Sequence, residues 1–222
     1  MSGETAAKII QSIASLTWAG LAGYLLYLLR HTLPAAVNRL TGFEAYGVKL
    51  AMSGGQAMSA AIEVASKHPN WDVVVADADR QKALERANRE RALIEGAEIL
   101  WVDDVPSNNR NEARMLRSFG AMITFACTTE EAIDAIKVAV EQHRPFHMAL
   151  SDISRNLPAL DPEAGVKMLE RFANDRIPLP VVFYIGTKKP GAPTPNGAFG
   201  LTNRPDELLQ LTLDALARVR SR

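Results

Sequence analysis

The sequence predicts an α/β fold: a doubly wound, five-stranded parallel sheet, preceded by a transmembrane helix and a helical linker. Three observations predict it. Short apolar runs alternate with helically spaced apolar stripes across the second half of the 222 residues, as expected of strands buried on both faces and the helices that cover them. Two of those runs end in carboxylates: Asp103 and Asp104 close Ile99-Leu100-Trp101-Val102, and Asp152 closes Phe146 to Ser151. Near the amino end, Ile9 to Leu29 carries no charged side chain.

In chain order, residues 1–8 are a short tail and residues 9–30 read as a single membrane span. Roughly 21 uncharged residues at a helical rise of about 1.5 Å cover about 30 Å, the thickness of a bilayer's hydrocarbon core. Lys8 and Arg30 bracket the stretch. A cleaved signal peptide would have a shorter apolar region ending at small residues, whereas this one runs into Leu28-Leu29-Arg30-His31; a buried or surface amphipathic helix is the other reading. Ser15, Ala19 and Gly23 recur every four residues, a small-residue face that would let two copies approach as a homodimer. Lys8 precedes the stretch while Arg30, Arg39 and Lys49 follow it, which puts the carboxyl-terminal side in the cytoplasm.

Residues 31–97 read as a juxtamembrane and helical linker. Leu33 to Lys67 is rich in Ala, Gly and Met, with helical apolar spacing over Gln56 to Ser66, and His68-Pro69-Asn70 breaks it. No phosphotransfer motif flanks His68. Asp79 to Glu95 interleaves both charges, with Glu85 four residues before Arg89, and predicts an exposed helix serving as a spacer.

Residues 98–222 carry the sheet. After the Ile99 to Val102 strand, Ala113, Leu116 and Phe119 sit at helical spacing before Gly120, and Met122 to Cys127 is a short apolar strand. Cys127, the sole cysteine, is expected inside that strand as a small core residue, and it excludes an intrachain disulfide. Thr129-Glu130-Glu131 opens a helix whose Ala132, Ile133, Ile136 and Val140 stripe predicts core packing. Pro162 to Asn174 and Pro205 to Arg220 are two more helices, and Pro180 to Tyr184 is a further strand. Between Lys188 and Gly197, three prolines and two glycines predict a loop in place of a helix.

Carboxylates that end neighbouring parallel strands converge on one crevice. Such crowding repels unless a cation relieves it, and the oxygen-seeking ion that suits carboxylates while leaving positions for a phosphate is Mg²⁺.

From about Ala97 to Val219 the chain resembles the receiver domain of two-component response regulators. The resemblance rests on ordered pieces: Ile99 to Asn109 as the first strand and acidic loop, Ala149-Leu150-Ser151-Asp152-Ile153 as the phosphoacceptor strand, Gly165, Pro180 to Tyr184 as the fourth strand, and Gly197-Ala198 with Arg204-Pro205 flanking the fifth. It implies a flavodoxin-like fold and transfer of a phosphoryl group from a phosphohistidine, on a histidine kinase or phosphotransfer protein, to Asp152. Mg²⁺ would be held by Asp103, Asp104, Asp152 and the Ser154 backbone carbonyl. Arg204 stands where receivers carry a Lys, Ile185 where they carry Ser or Thr, with Thr187 as a displaced substitute, and Leu201 where they carry an aromatic.

With 25 basic and 25 acidic residues there is no cationic surplus for nucleic acid. His31, His68, His143 and His147 lack zinc-site spacing. The function that follows is a membrane-anchored, single-domain response regulator. It is a phosphoacceptor, not a turnover enzyme, and signals through contacts with a downstream protein. The alternative is a pseudo-receiver that serves as an interaction scaffold without phosphorylation. A Mg²⁺-dependent phosphohydrolase using Asp152 lacks a separate acid-base group.

Overall fold

Five strands form one parallel sheet: β1 (Glu98–Val102), β2 (Met122–Ala126), β3 (Met148–Ser151), β4 (Val181–Tyr184) and β5 (Gly200–Thr202). Their spatial order is β2-β1-β3-β4-β5, the flavodoxin-like order, in which the winding reverses between β1 and β3. The structure, a computed structural model, describes residues 54–69, 71–157, 159–187 and 193–221, which belong to one compact unit, Leu50–Arg222. The span over residues 9–30, the Ser15, Ala19 and Gly23 face and the first part of the linker lie outside the described residues. Among those described, no helix is long and apolar enough to cross a membrane.

The described helices are α1 (Gly54–Lys67), α2 (Asp77–Arg89), α3 (Arg91–Ile94), α4 (Arg110–Ser118), α5 (Thr129–Glu141), α6 (Ala164–Asn174) and α7 (Pro205–Arg220), with a 3-10 turn over Pro106–Asn109. Local chemistry sets their ends. Thr128 Oγ1 accepts the Glu131 N–H (3.1 Å) while the Glu131 carboxylate takes the Cys127 N–H (2.7 Å), a reciprocal cap that satisfies two donors at the start of α5. Pro205 opens α7, and Asp206 and Glu207 sit in its first turn, where the helix dipole favours negative charge.

Side chains alternate across the strands and divide the core in two. Ile99, Trp101, Met148, Leu150, Val182 and Tyr184 face one cluster with α4 and α7. Leu100, Val102, Ala149, Val181 and Phe183 face the other, with α5 and α6. Trp101 meets Tyr184 edge to face at 6.0 Å and stacks on Phe125 at 5.7 Å, pairings that contribute about 0.5–1.5 kcal/mol each beyond burial.

The structure departs from the sequence reading in three places. Asp79 to Glu95 is helical but not an exposed spacer: Ala83, Ala87 and Ile94 are fully buried and join the first cluster, as do Ala57 and Met58 of α1. Small alanines let α2 lie close on α7, so the sheet's first face carries a further helical layer, beginning at Gly54 and not at residue 98. The spaced ion pairs here are Asp77 with Arg80 (3.3 Å) and Arg86 with Glu90 (3.1 Å), while Glu85 accepts from Gln81. Val140 is 59% exposed, and Cys127 follows β2 and is only half-buried. Between β4 and β5 no helix occurs among the described residues, and residues 188–192 of the expected loop lie outside them.

Candidate functional site

Val102 and Ser151, the last residues of β1 and β3, are in register. The Asp103 N–H donates to the Ala126 carbonyl (2.9 Å) and the Asp152 N–H to the Val102 carbonyl (3.1 Å), so the ladder fixes both residues at the crevice where the winding reverses. Asp103, 6% exposed, accepts from the Val105 N–H and from Asn109 Nδ2, both at 2.7 Å. Asp152 accepts from the Ile153 N–H (2.7 Å). These donors are neutral amides, so they orient the two carboxylates without cancelling their charge. Asp103, Asp152, Asn109 and Tyr184 line one cavity of about 200 Å³, together with His68 and Trp71 from between α1 and α2. At about 30 Å³ per water, it has room for a hydrated ion or a phosphoryl group, and falls below the about 300–1,000 Å³ of organic-ligand pockets.

Charge crowding shows in the titration. Burial, then the neighbouring Asp103, pushes the Asp152 carboxyl up to about 6. Burial also raises Asp103, against the hydrogen bonds from Val105 and Asn109. A cation that the sequence reading missed stands behind them. Arg155, 1% exposed, donates to Thr129 Oγ1 (2.9 Å) and the Ala164 carbonyl (2.7 Å), and its charge interacts with Asp152, Asp104 and Asp103. Its only sequence signal is a lone basic residue three positions after Asp152.

The other expected members of the site are placed differently. Asp104 turns aside, its Oδ2 accepting the Asn156 N–H at 2.8 Å, and so ties the loop after β3 to the loop after β1. Among the described residues no three His, Cys, Asp or Glu side chains are grouped to hold a metal. The donor chemistry nevertheless fits Mg²⁺: two hard carboxylates face a cavity with room for a hydrated ion, and this ion is commonly held by one or two carboxylates with its remaining waters. Arg204 does not line the cavity. Its guanidinium is taken up by Asp206 (2.6 and 3.1 Å) and by Asp79 of α2 (2.9 Å), and the helix that supplies Asp79 was read as a spacer. Thr187 is exposed, and the residues after β4 that line the cavity are Ile185 and Gly186. Leu201 is buried in the second cluster, and Phe199 lies under Arg218 (5.9 Å).

Behind the cavity wall, Tyr184 donates its hydroxyl to Glu112 Oε1 (3.0 Å). Glu112 is fully buried, its Oε2 has no hydrogen-bond partner, and burial pushes its carboxyl up to about 7. An acid within an amphipathic helix reads in sequence as a solvent-facing residue, so nothing marked it in advance. A larger cavity of about 380 Å³ lies at the opposite end of the sheet, between Phe172, Leu179, Phe199 and Arg218, away from the carboxyl ends where α/β sheets place their chemistry.

No family model matches the chain, and no curated protein matches it. Solved structures do. The N-terminal domain of a response regulator/sensory box/GGDEF three-domain protein from Carboxydothermus hydrogenoformans is 22% identical, with a TM-score of 0.44, over 56% of this chain and 97% of that one. A CheY-like response regulator receiver domain protein from Methanospirillum hungatei is 20% identical, with a TM-score of 0.43, over 57% and 98%. The response regulator PhyR from Brucella abortus is 23% identical, with a TM-score of 0.44, over 66% and 58%. The chain is thus similar to receiver domains.

Proposed function

We propose that this chain is a response regulator whose receiver domain accepts a phosphoryl group on Asp152 and passes the signal on through contacts with a downstream protein. One observation carries the reading: Asp103 and Asp152 end adjacent parallel strands and face one small cavity, with the Asp152 carboxylate held by the Ile153 N–H. An Asp152 oxygen forms a bond to phosphorus as the phosphorus–nitrogen bond of a phosphohistidine breaks, and the departing imidazole takes a proton from solvent. Positioning and charge neutralisation carry such a transfer, without a separate base. Asp103, Asp152 and the Ser154 carbonyl would hold Mg²⁺, which supplies neutralisation of the phosphoryl oxygens when bound. Asp104 keeps the loop in place through Asn156, and Arg155 supplies the fixed positive field.

Small phosphodonors should leave an acid-stable, base-labile acyl phosphate on the full chain, and Asp152→Asn should abolish it, because an amide is a poor nucleophile. Label persisting in Asp152→Asn would move the acceptor elsewhere.

The second reading is a pseudo-receiver that serves as a scaffold. The engagement of Arg204 by Asp79 and Asp206 favours it, as does the place of Thr187 outside the cavity lining, since neither group then stands beside Asp152 to couple phosphorylation to a switch. Wild type that takes up no label, while Asp152→Asn still binds its partner, would select it.

The anchor over residues 9–30, with the sheet domain in the cytoplasm, belongs to the same proposal and rests on the uncharged stretch alone. The intact chain should sediment with membranes and need detergent for extraction, and removal of residues 1–33 should release it. Recovery of intact chain from the soluble fraction without detergent would end the anchor reading.

A further inference from the structure

The connection between α1 and α2 builds the outer wall of the Asp152 cavity. At the end of α1 the Trp71 N–H donates to the His68 carbonyl (3.1 Å), and the two rings stack with centroids 4.4 Å apart. Both rings line the cavity that Asp103 and Asp152 line from the sheet side. The indole is seated on Gly186, just past β4: a Cβ added there would lie 2.3 Å from Trp71 Nε1. Any side chain at 186 would expel the ring. The wall is also held from both sides. α1 packs through Ala57 and Met58, and the Phe119 ring fills the space beside Gly54. α2 is tied to α7 through Arg86 and Asp214 (2.6 Å) and to Arg204 through Asp79 (2.9 Å).

In-line attack by Asp152 requires the leaving group to depart on the far side of phosphorus from the carboxylate. A small leaving group can be accommodated beside the two rings. A phosphohistidine projecting from a folded protein brings that protein's surface to the cavity mouth. We propose that His68 and Trp71 select the phosphodonor at Asp152, admitting small phosphoryl compounds directly and a protein-borne phosphohistidine only when the indole lifts from Gly186. This rests on Asp152 being the acceptor, as proposed above.

Access can be measured without phosphoryl chemistry. In the detergent-solubilised full chain carrying Cys127→Ser and Asp152→Cys, the thiol is reacted with methyl methanethiosulfonate and with a polyethylene glycol maleimide. Adding Trp71→Ala should speed the bulky reagent by roughly tenfold or more, an opening cost of about 1.4 kcal/mol removed, and leave the small reagent nearly unchanged. Gly186→Ala should act in the same way by displacing the indole, so the outcome does not hang on one variant. Equal bulky-reagent rates with and without both substitutions overturn the wall. A parallel arm titrates beryllofluoride with Mg²⁺ into the chain with Asp152 intact. Binding as fast in Trp71→Ala as in wild type supports donor selection, and markedly faster binding overturns it, because a small phosphoryl mimic should enter without the indole lifting. Absence of binding in both wild type and Trp71→Ala instead overturns the acceptor reading, and with it the selection, whatever the thiol rates show.

Discussion

Asp152 is a carboxylate kept at a cost, and that cost has a sign that can be checked. Its carboxyl titrates near 6 in the fold, raised from 3.8 by burial and by Asp103, so the folded state holds a proton that the unfolded chain has already released. Stability from this group is fully present below about pH 4, falls as pH rises to about 6, and stays low above that. Asp103 is raised as well, chiefly by burial. Asp152→Asn is therefore expected to be more stable than wild type above pH 6, by on the order of 2 kcal/mol, and to lose that advantage near pH 4. Urea unfolding between pH 4 and 8 measures it, and an unchanged or lower stability of the variant at pH 7.5 would contradict the crowding. Mg²⁺ should raise wild-type stability at pH 7.5 and leave Asp152→Asn nearly unaffected, since binding favours the state that carries the site.

At the scale of elements, the site depends on how closely α6 approaches the end of β3. Gly165, in the first turn of α6, allows this: a Cβ there would lie 2.4 Å from the Asp152 carbonyl oxygen, 2.8 Å from Phe183 Cε1 and 2.9 Å from Ile153 Cα. Two of those atoms are backbone, so the helix would have to move. The Gly165 N–H also donates to the Ile153 carbonyl (2.8 Å), tying the helix start to the residue after Asp152. Gly165→Ala is expected to cost more than about 2 kcal/mol, a core-overpacking effect, and to weaken binding of a phosphoryl mimic by shifting the Asp152 loop. Paired unfolding and calorimetric titrations would show both losses. A variant with wild-type stability would mean that α6 has slack which the packing does not suggest.

On the scale of the whole molecule, α1, α2 and α3 are part of the sheet domain's core. Ala57, Met58, Ala83, Ala87 and Ile94 are fully buried against residues that include Phe119, Leu208 and Leu216. A fragment beginning at Glu98 would bare that face of α4 and α7. It is expected to bind a hydrophobic dye and to unfold with a broadened transition, the behaviour of a chain that has lost specific packing, whereas a fragment beginning at Leu50 should unfold in one sharp step. A sharp, dye-free transition for the shorter fragment would show that the helical layer is dispensable.

The strands, the covering helices and the meeting of Asp103 with Asp152 at one crevice were legible in the amino-acid sequence. These are local or topological: apolar runs and stripes have fixed periods, and parallel strands bring their carboxyl ends to one side. Only the tertiary structure decided the rest. Arg204 was drawn to Asp79, Arg155 was buried behind the carboxylates, Glu112 was buried against Tyr184, and Trp71 was laid on Gly186. Each is a meeting of side chains far apart in the chain or turned inward against type. Neither composition nor spacing encodes such a contact, because it follows from which helix packs on which face.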